Sequence, residues 1–282
     1  MESVCFNGHK RFFIRKEWLI KGLQEVKQNP RVFFENFGAD ALGVSIDMAK
    51  SIRYWLKCSG MTDESVRTVV RLTDLGEIIL KKDPYFEKLF SLWVIHCNIA
   101  RNKEQATVCQ LFFNEFCLEK FTREELEEQM LELAGKVAGT QKISTRSVKD
   151  DCDLVLRMYT ELHGTGNRKG KDSSPFARMG LLIEADGIYV KKQPELQNLP
   201  IEVILFLLPG IMPKGRGISI EELLTTENGP GRILNLEPFV LTVLLEQLGY
   251  SGKLMVHKTE GIDMVYLPEW VKQEHVLQDY YR

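Results

Sequence analysis

Long apolar runs are missing from this 282-residue chain. The most extended, Ile201 to Leu208, is broken by Glu202 and is far too short to span a bilayer. Net charge is nearly missing too. The 37 basic and 39 acidic residues leave a formal −2, so any affinity for a polyanion must come from local segregation of charge. Cysteine is sparse: Cys5, Cys58, Cys97, Cys109, Cys117 and Cys152 are scattered, and no two have the spacing of a zinc knuckle. A chain of this size needs no disulfide staples, so the thiols are expected free, in a reduced, cytoplasmic compartment. The opening residues carry no apolar signal core. There is no His-Glu-x-x-His and no Gly-x-x-x-x-Gly-Lys-Ser/Thr. A catalytic triad and an acidic cluster suited to two metals are equally lacking.

The chain does have a 44% hydrophobic content, ample for packed cores. Its most informative stretch is Ala41 to Lys57, which has the pattern of the turn and second helix of a helix-turn-helix. Gly43 supplies the corner, Ser45 caps the new helix, and Asp47 sits in its positive first turn. Ile46, Ala49, Ile52 and Leu56 recur at core spacing, whereas Lys50, Arg53, Tyr54 and Lys57 share the opposite side. A helix that buries one stripe and presents cations and a phenol on the other suits a phosphate-lined groove.

The fold expected is mainly α, with helix-turn-helix or winged-helix modules, a helical middle region and short β-hairpins. The first domain spans 1–140. Its helices are expected at Glu17–Gln28, Tyr85–Ala100, Ala106–Cys117 and Thr122–Lys136, the last opened by the capping box Thr122–Glu125. A short strand at Val69–Leu72 precedes a helix opened by Thr73. Residues 135–144 form a candidate linker. The second domain, 141–197, holds an amphipathic helix at Ser147–Leu162 and a loop, His163 to Pro175, which is either a solvated loop that keeps the chain soluble or, through Arg168, Lys169 and Lys171, a candidate contact to phosphate. A hairpin turning at Asp186-Gly187 follows. The third domain, 198–282, is winged-helix-like, with helices at Ile201–Leu208, Glu221–Thr226 and Leu236–Leu248 and a hairpin around Glu260-Gly261. Its last helix offers Glu237, Thr242, Glu246 and Gln247, so a docking or dimer surface is expected there, not DNA.

Gly8 to Arg15 places His9, Arg11 and Arg15 ahead of the first helix, a group able to bind phosphate or move a proton near neutral pH. On residue type alone His9 is expected to be structural. His96 on the apolar helix is expected to be satisfied by a backbone carbonyl or by Glu115, not by a metal.

A series of matches carries a resemblance. It runs through Gly8-His9, Arg15, Trp18-Leu19, Lys21-Gly22, Leu42-Gly43-Val44, Ser51 to Leu56, Asp83-Pro84-Tyr85, Leu92-Trp93 and His96. It continues through Phe112 to Phe116, Phe121 to Leu126, Asp150 or Asp151 with Leu156 to Tyr159, and Gly180 to Ile183. In these the chain resembles a bacterial domain-of-unknown-function family of DNA phosphorothioation gene clusters, similar to the B component of the single-strand (Ssp) system. The resemblance implies anti-phage defence by sulfur modification of the DNA backbone. It implies double-stranded DNA as a ligand, and a cysteine desulfurase, an ATP-pyrophosphatase and an NTPase as partners, with a homodimer compatible. It further implies nicking of one strand, with magnesium or manganese the metal such nicking would use, although no metal ligand set is evident. His9 and Arg15 then rise to candidate catalytic residues, beside Arg11, Lys50, Arg53, Tyr54, Lys57, Arg168, Lys169 and Lys171 as DNA contacts. The alternative is a non-catalytic DNA-binding scaffold that recruits the sulfur-inserting enzymes.

Overall fold

The structure is a computed structural model that describes residues 4–160, 174–212, 215–259 and 262–282. It is mainly helical and divides into two compact units, Met1–Lys192 and Gln193–Arg282.

In the first unit α1 (Lys16–Gln28) buries Trp18, Leu19, Leu23 and Val26. The one-turn α2 (Ala39–Leu42) ends at Gly43, whose φ of 58° lies in the left-handed region a glycine takes without strain. Ser45 then accepts the Met48 N–H and caps α3 (Ile46–Cys58), as its sequence predicts. Ala49, Ile52 and Leu56 are buried, but Ile46 is 41% exposed. It occupies the first turn, before the helix reaches the core. A Cβ on Gly22 would come within 2.8 Å of Ile52 and Leu56 side-chain atoms, so glycine is what lets α1 approach α3.

Strands β1 (Thr62–Asp63) and β2 (Arg71–Leu72) pair antiparallel directly after α3. The strand expected at Val69–Leu72 is thus half as long. Thr73 caps α4 (Asp74–Lys82) through the Gly76 N–H. The next helix, α5 (Leu89–Arg101), starts four residues later than expected. Phe86 has a φ of 50°, and the Asp83 carboxylate accepts the Glu87 and Lys88 N–H groups, closing a turn in place of a helix.

All residues of α6 (Thr107–Asn114) are buried. Strand β3 (Lys120–Thr122) leads into α7 (Arg123–Ala138), whose Thr122–Glu125 capping box forms as expected. Because α7 runs to Ala138, the connection to α8 (Thr145–Tyr159) is shorter than the linker foreseen. Strands β4 (Leu182–Ala185) and β5 (Ile188–Lys191) make the expected hairpin, with Asp186 and Gly187 both at positive φ. β5 also pairs with β3, so residues 182–191 complete a sheet begun at 120–122. His96 meets the Tyr159 hydroxyl at Nδ1, 2.7 Å away, while Glu115 is exposed.

In the second unit α9 (Glu202–Leu207) precedes β6 (Ile218–Ser219), α10 (Ile220–Thr225), the one-turn α11 (Pro230–Ile233) and α12 (Pro238–Tyr250). β7 (Met255–Thr259) and β8 (Ile262–Tyr266) follow, with β8 between β6 and β7. α13 (Gln273–Tyr280), unforeseen in the sequence, packs against α9, and Gln273 Nε2 donates to the Phe206 carbonyl. Among the described residues, no helix is long and apolar enough to cross a membrane.

Candidate nucleic-acid interface

Ahead of α1 the chain makes a tight hook. Asn7, Lys10 and Arg11 all have left-handed φ, at 56°, 51° and 67°, and Phe12 N–H returns to the His9 carbonyl at 3.0 Å. Non-glycine residues in such conformations cost about 1–3 kcal/mol each, so the surroundings must hold them. His9 does much of this and is only 2% exposed. Its Nδ1 accepts the Arg11 N–H at 2.9 Å, which puts the ring proton on Nε2. Nε2 donates to Asp151 Oδ1 on α8, 2.5 Å away, and the ring stacks on Trp55 of α3. Asp151 also accepts the Asn7 N–H. Burial pushes the Asp151 carboxyl above its ordinary value, against the pull of His9 and Asn7. The Trp55 indole donates to the Phe12 carbonyl at 2.9 Å. Through these bonds residues 7–12 tie α3 to α8.

The hook leaves Lys10 and Arg11 in solvent. Arg11 Nε is 3.5 Å from Asp150, and Arg157 of α8 reaches both the Arg11 carbonyl and Asp153. Asp153 is shared with Arg123 of α7. Desolvation opposes ionisation of Asp153, but the two guanidinium groups outweigh it and hold its carboxyl below the usual range. The Arg15 guanidinium lies over Phe13 and Trp18, 5.3 and 4.8 Å from their ring centres. Of the two residues proposed from the resemblance as catalytic, His9 thus has both ring nitrogens engaged and almost no surface. To exchange a proton with a bound strand it would have to break the hook.

Along α3 the four expected contacts separate. Lys50 sits over the Phe37 ring at 4.3 Å, and Arg53 over Phe34 at 4.7 Å. Arg53 also donates two hydrogen bonds to Glu64, at 2.8 and 3.0 Å, and Lys57 lies 3.8 Å from the same carboxylate. Tyr54 turns inward: its hydroxyl donates to the Gln105 carbonyl, and desolvation pushes its phenol well above the ordinary value. It is a packing residue of α3, not a member of the cationic row. Arg168, Lys169 and Lys171 lie outside the described residues.

Residues 6–281 match the profile of a family described as "Protein of unknown function (DUF4007)". The chain belongs to that family. Two solved structures share the DUF4007 chain's fold over nearly its whole length. "SspB crystal structure" has a TM-score of 0.87 at 22% identity, covering 99% of this chain and 89% of that one. "Magnesium ion-bound SspB crystal structure" has a TM-score of 0.86 at 21% identity, covering 98% and 87%. A curated protein of Gibberella zeae, "Histone-lysine N-methyltransferase, H3 lysine-79 specific", is 26% identical over 151 residues. This chain covers about a quarter, 27%, of that protein's length, and the aligned part is 52% of this chain.

Among the described residues of this DUF4007 chain, no group of three or more His, Cys, Asp or Glu side chains is placed to hold a metal ion. Sequence reasoning missed Glu64 as the counter-charge of α3, Phe34 and Phe37 as the rings beneath its cations, and Asp151 as the anchor of His9. Asp151 stands 142 residues from His9, and no local pattern announces such a pair.

Proposed function

We propose that this chain is the DNA-binding component of a bacterial DNA phosphorothioation system, which brings duplex DNA to a cysteine desulfurase, an ATP-pyrophosphatase and an NTPase. The observation that carries the reading is the likeness of fold to SspB from end to end, joined to the N-terminal motifs that resemble the same family. We read the first unit as a winged module. Helix α3 is capped by Ser45 after the Gly43 corner, and β1 and β2 form the wing, whose connection carries the exposed Arg67. Lys50, Arg53 and Lys57 run along α3 at spacings of three and four residues, as a helix facing a phosphate backbone requires. The second unit has the order expected of a second winged helix, β6 pairing with β8 after α9, with α12 preceding the hairpin.

A mobility shift with duplex DNA tests this. Lys50→Ala and Arg53→Ala are expected to weaken binding and to flatten its dependence on salt by about one unit each. Unchanged binding removes α3 from the account.

A second reading, nicking of one strand, draws on the magnesium ion of one similar structure. Supercoiled plasmid with purified protein and magnesium or manganese separates the two: open circles support nicking, and their absence supports the scaffold. The sealed position of His9 favours the scaffold. If nicking occurs, His9→Ala is expected to act through loss of the hook, lowering thermal stability together with activity.

A further inference from the structure

Residues 32–38 divide their aromatic side chains in an unusual way. Val32 and Phe33 are 3% and 2% exposed, whereas Phe34 and Phe37 stand 39% and 48% in solvent. Around Phe37 the backbone is itself unusual. Asn36 and Phe37 have φ values of 43° and 56°, followed by Gly38 at 81°, so three successive residues are left-handed. A bulky side chain there costs about 1–3 kcal/mol, and burying Phe37 would reward the chain more than exposing it. Asn36 donates to Asp40 and fixes the turn. Each exposed ring is matched to a cation of α3, Phe37 to Lys50 and Phe34 to Arg53.

An exposed ring beside a cation differs from a bare apolar patch. The ring offers a face for stacking, and the cation suits an anion attached to whatever stacks. A nucleotide with an unpaired base combines both properties, a flat π-system and a phosphate. The paired bases of an intact duplex offer no free face.

We propose that Phe34 and Phe37, with Lys50 and Arg53, form a stacking platform for one or two unpaired bases of a DNA strand. This rests on the DNA-binding reading and adds the state of the DNA: the platform engages bases that have left the duplex, at a gap or a locally opened site.

The test uses the full chain and two fluorescein-labelled duplexes of one sequence, one fully paired and one with a two-nucleotide gap. Wild type is expected to prefer the gapped duplex. Phe34→Ala with Phe37→Ala is expected to lose tenfold or more on the gapped duplex, in line with about 1–3 kcal/mol per stacked base, and to keep its affinity for the paired one. Phe37→Trp is expected to bind the gapped duplex normally, with fluorescence quenched beyond that of the wild-type tryptophans. Equal loss on both duplexes, or no loss on either, overturns the platform while leaving DNA binding intact. Failure of wild type to bind either duplex overturns both readings. Unchanged DNA binding with lost retention of a phosphorothioation partner would reassign the rings to a protein contact.

Discussion

Helices α3 and α12 stand in matching positions, each after a shorter helix and before an antiparallel hairpin, yet they are built from different materials. The outer side of α3 carries Lys50, Arg53 and Lys57, with aromatic rings beneath two of them. The outer side of α12 carries Glu237, Gln247 and two exposed rings, Phe239 at 77% and Tyr250 at 90%. Its Glu246 is paired with Lys258 of β7. Their supports differ as well. Among the described residues, every buried polar or charged side chain lies in the first unit, from His9 to Ser174. The second unit packs Leu241, Leu244, Leu245 and Leu248 on the inner side of α12, and its polar bonds include those from Gln273 to the Phe206 carbonyl and from Arg232 to the Thr225 carbonyl. Two helices in the same place in the element order thus offer different chemistry, cations over rings on α3 and an acid with bare rings on α12.

The largest effect expected from breaking this contrast comes from the hook. Asp151→Ala leaves the His9 Nε2–H and the Asn7 N–H without acceptors and should lower stability by about 3 kcal/mol in denaturant titration. Asp151→Asn, which keeps an acceptor oxygen, should cost clearly less. Equal losses would mean that packing rather than hydrogen bonding holds the hook.

A smaller change sharpens the electrostatic side. Glu64→Gln removes the carboxylate that occupies Arg53 and faces Lys57. Duplex affinity in the mobility shift should rise about threefold if α3 meets phosphate, since a close counter-charge no longer competes. A fall would place the DNA elsewhere.

Smaller still is the bridge from Asp153 to Arg123 and Arg157. The folded carboxyl titrates below its ordinary 3.8, so its contribution is fully present above that value and is lost as pH falls through the lowered one. The stability gap between wild type and Asp153→Asn should be constant from pH 7 to about pH 5 and close below about pH 4. With partly exposed partners, the gap should stay near or under about 1 kcal/mol. A gap that widens in acid would reverse the sign of the argument. The smallest effect is expected on the other helix: Phe239→Ser with Tyr250→Ser should change duplex binding not at all and stability by no more than about 0.5 kcal/mol.

Capping and periodicity were legible in the residues alone. Ser45, Thr73, the Thr122–Glu125 box and Asp186-Gly187 each act within four positions along the chain, and each begins or turns the element that its chemistry predicts. Core faces followed from spacing, except Ile46, because period alone does not say how far a core extends along a helix. The start of α5 was misplaced because apolar residues continue N-terminally into a turn closed by Asp83.

The sequence by itself determined where α3, α4 and α7 begin, where the 186–187 turn falls, and which row of cations α3 would carry, since these depend on neighbours a few bonds away. Only the tertiary structure decided that His9 is sealed against Asp151, that Tyr54 faces inward, and that Glu64 shadows Arg53 while Phe34 and Phe37 stay outside. Those outcomes join positions separated by 11 to 142 residues, or set a side chain against solvent. Both are settled by three-dimensional packing, where a charge or a ring acts according to what lies beside it in space.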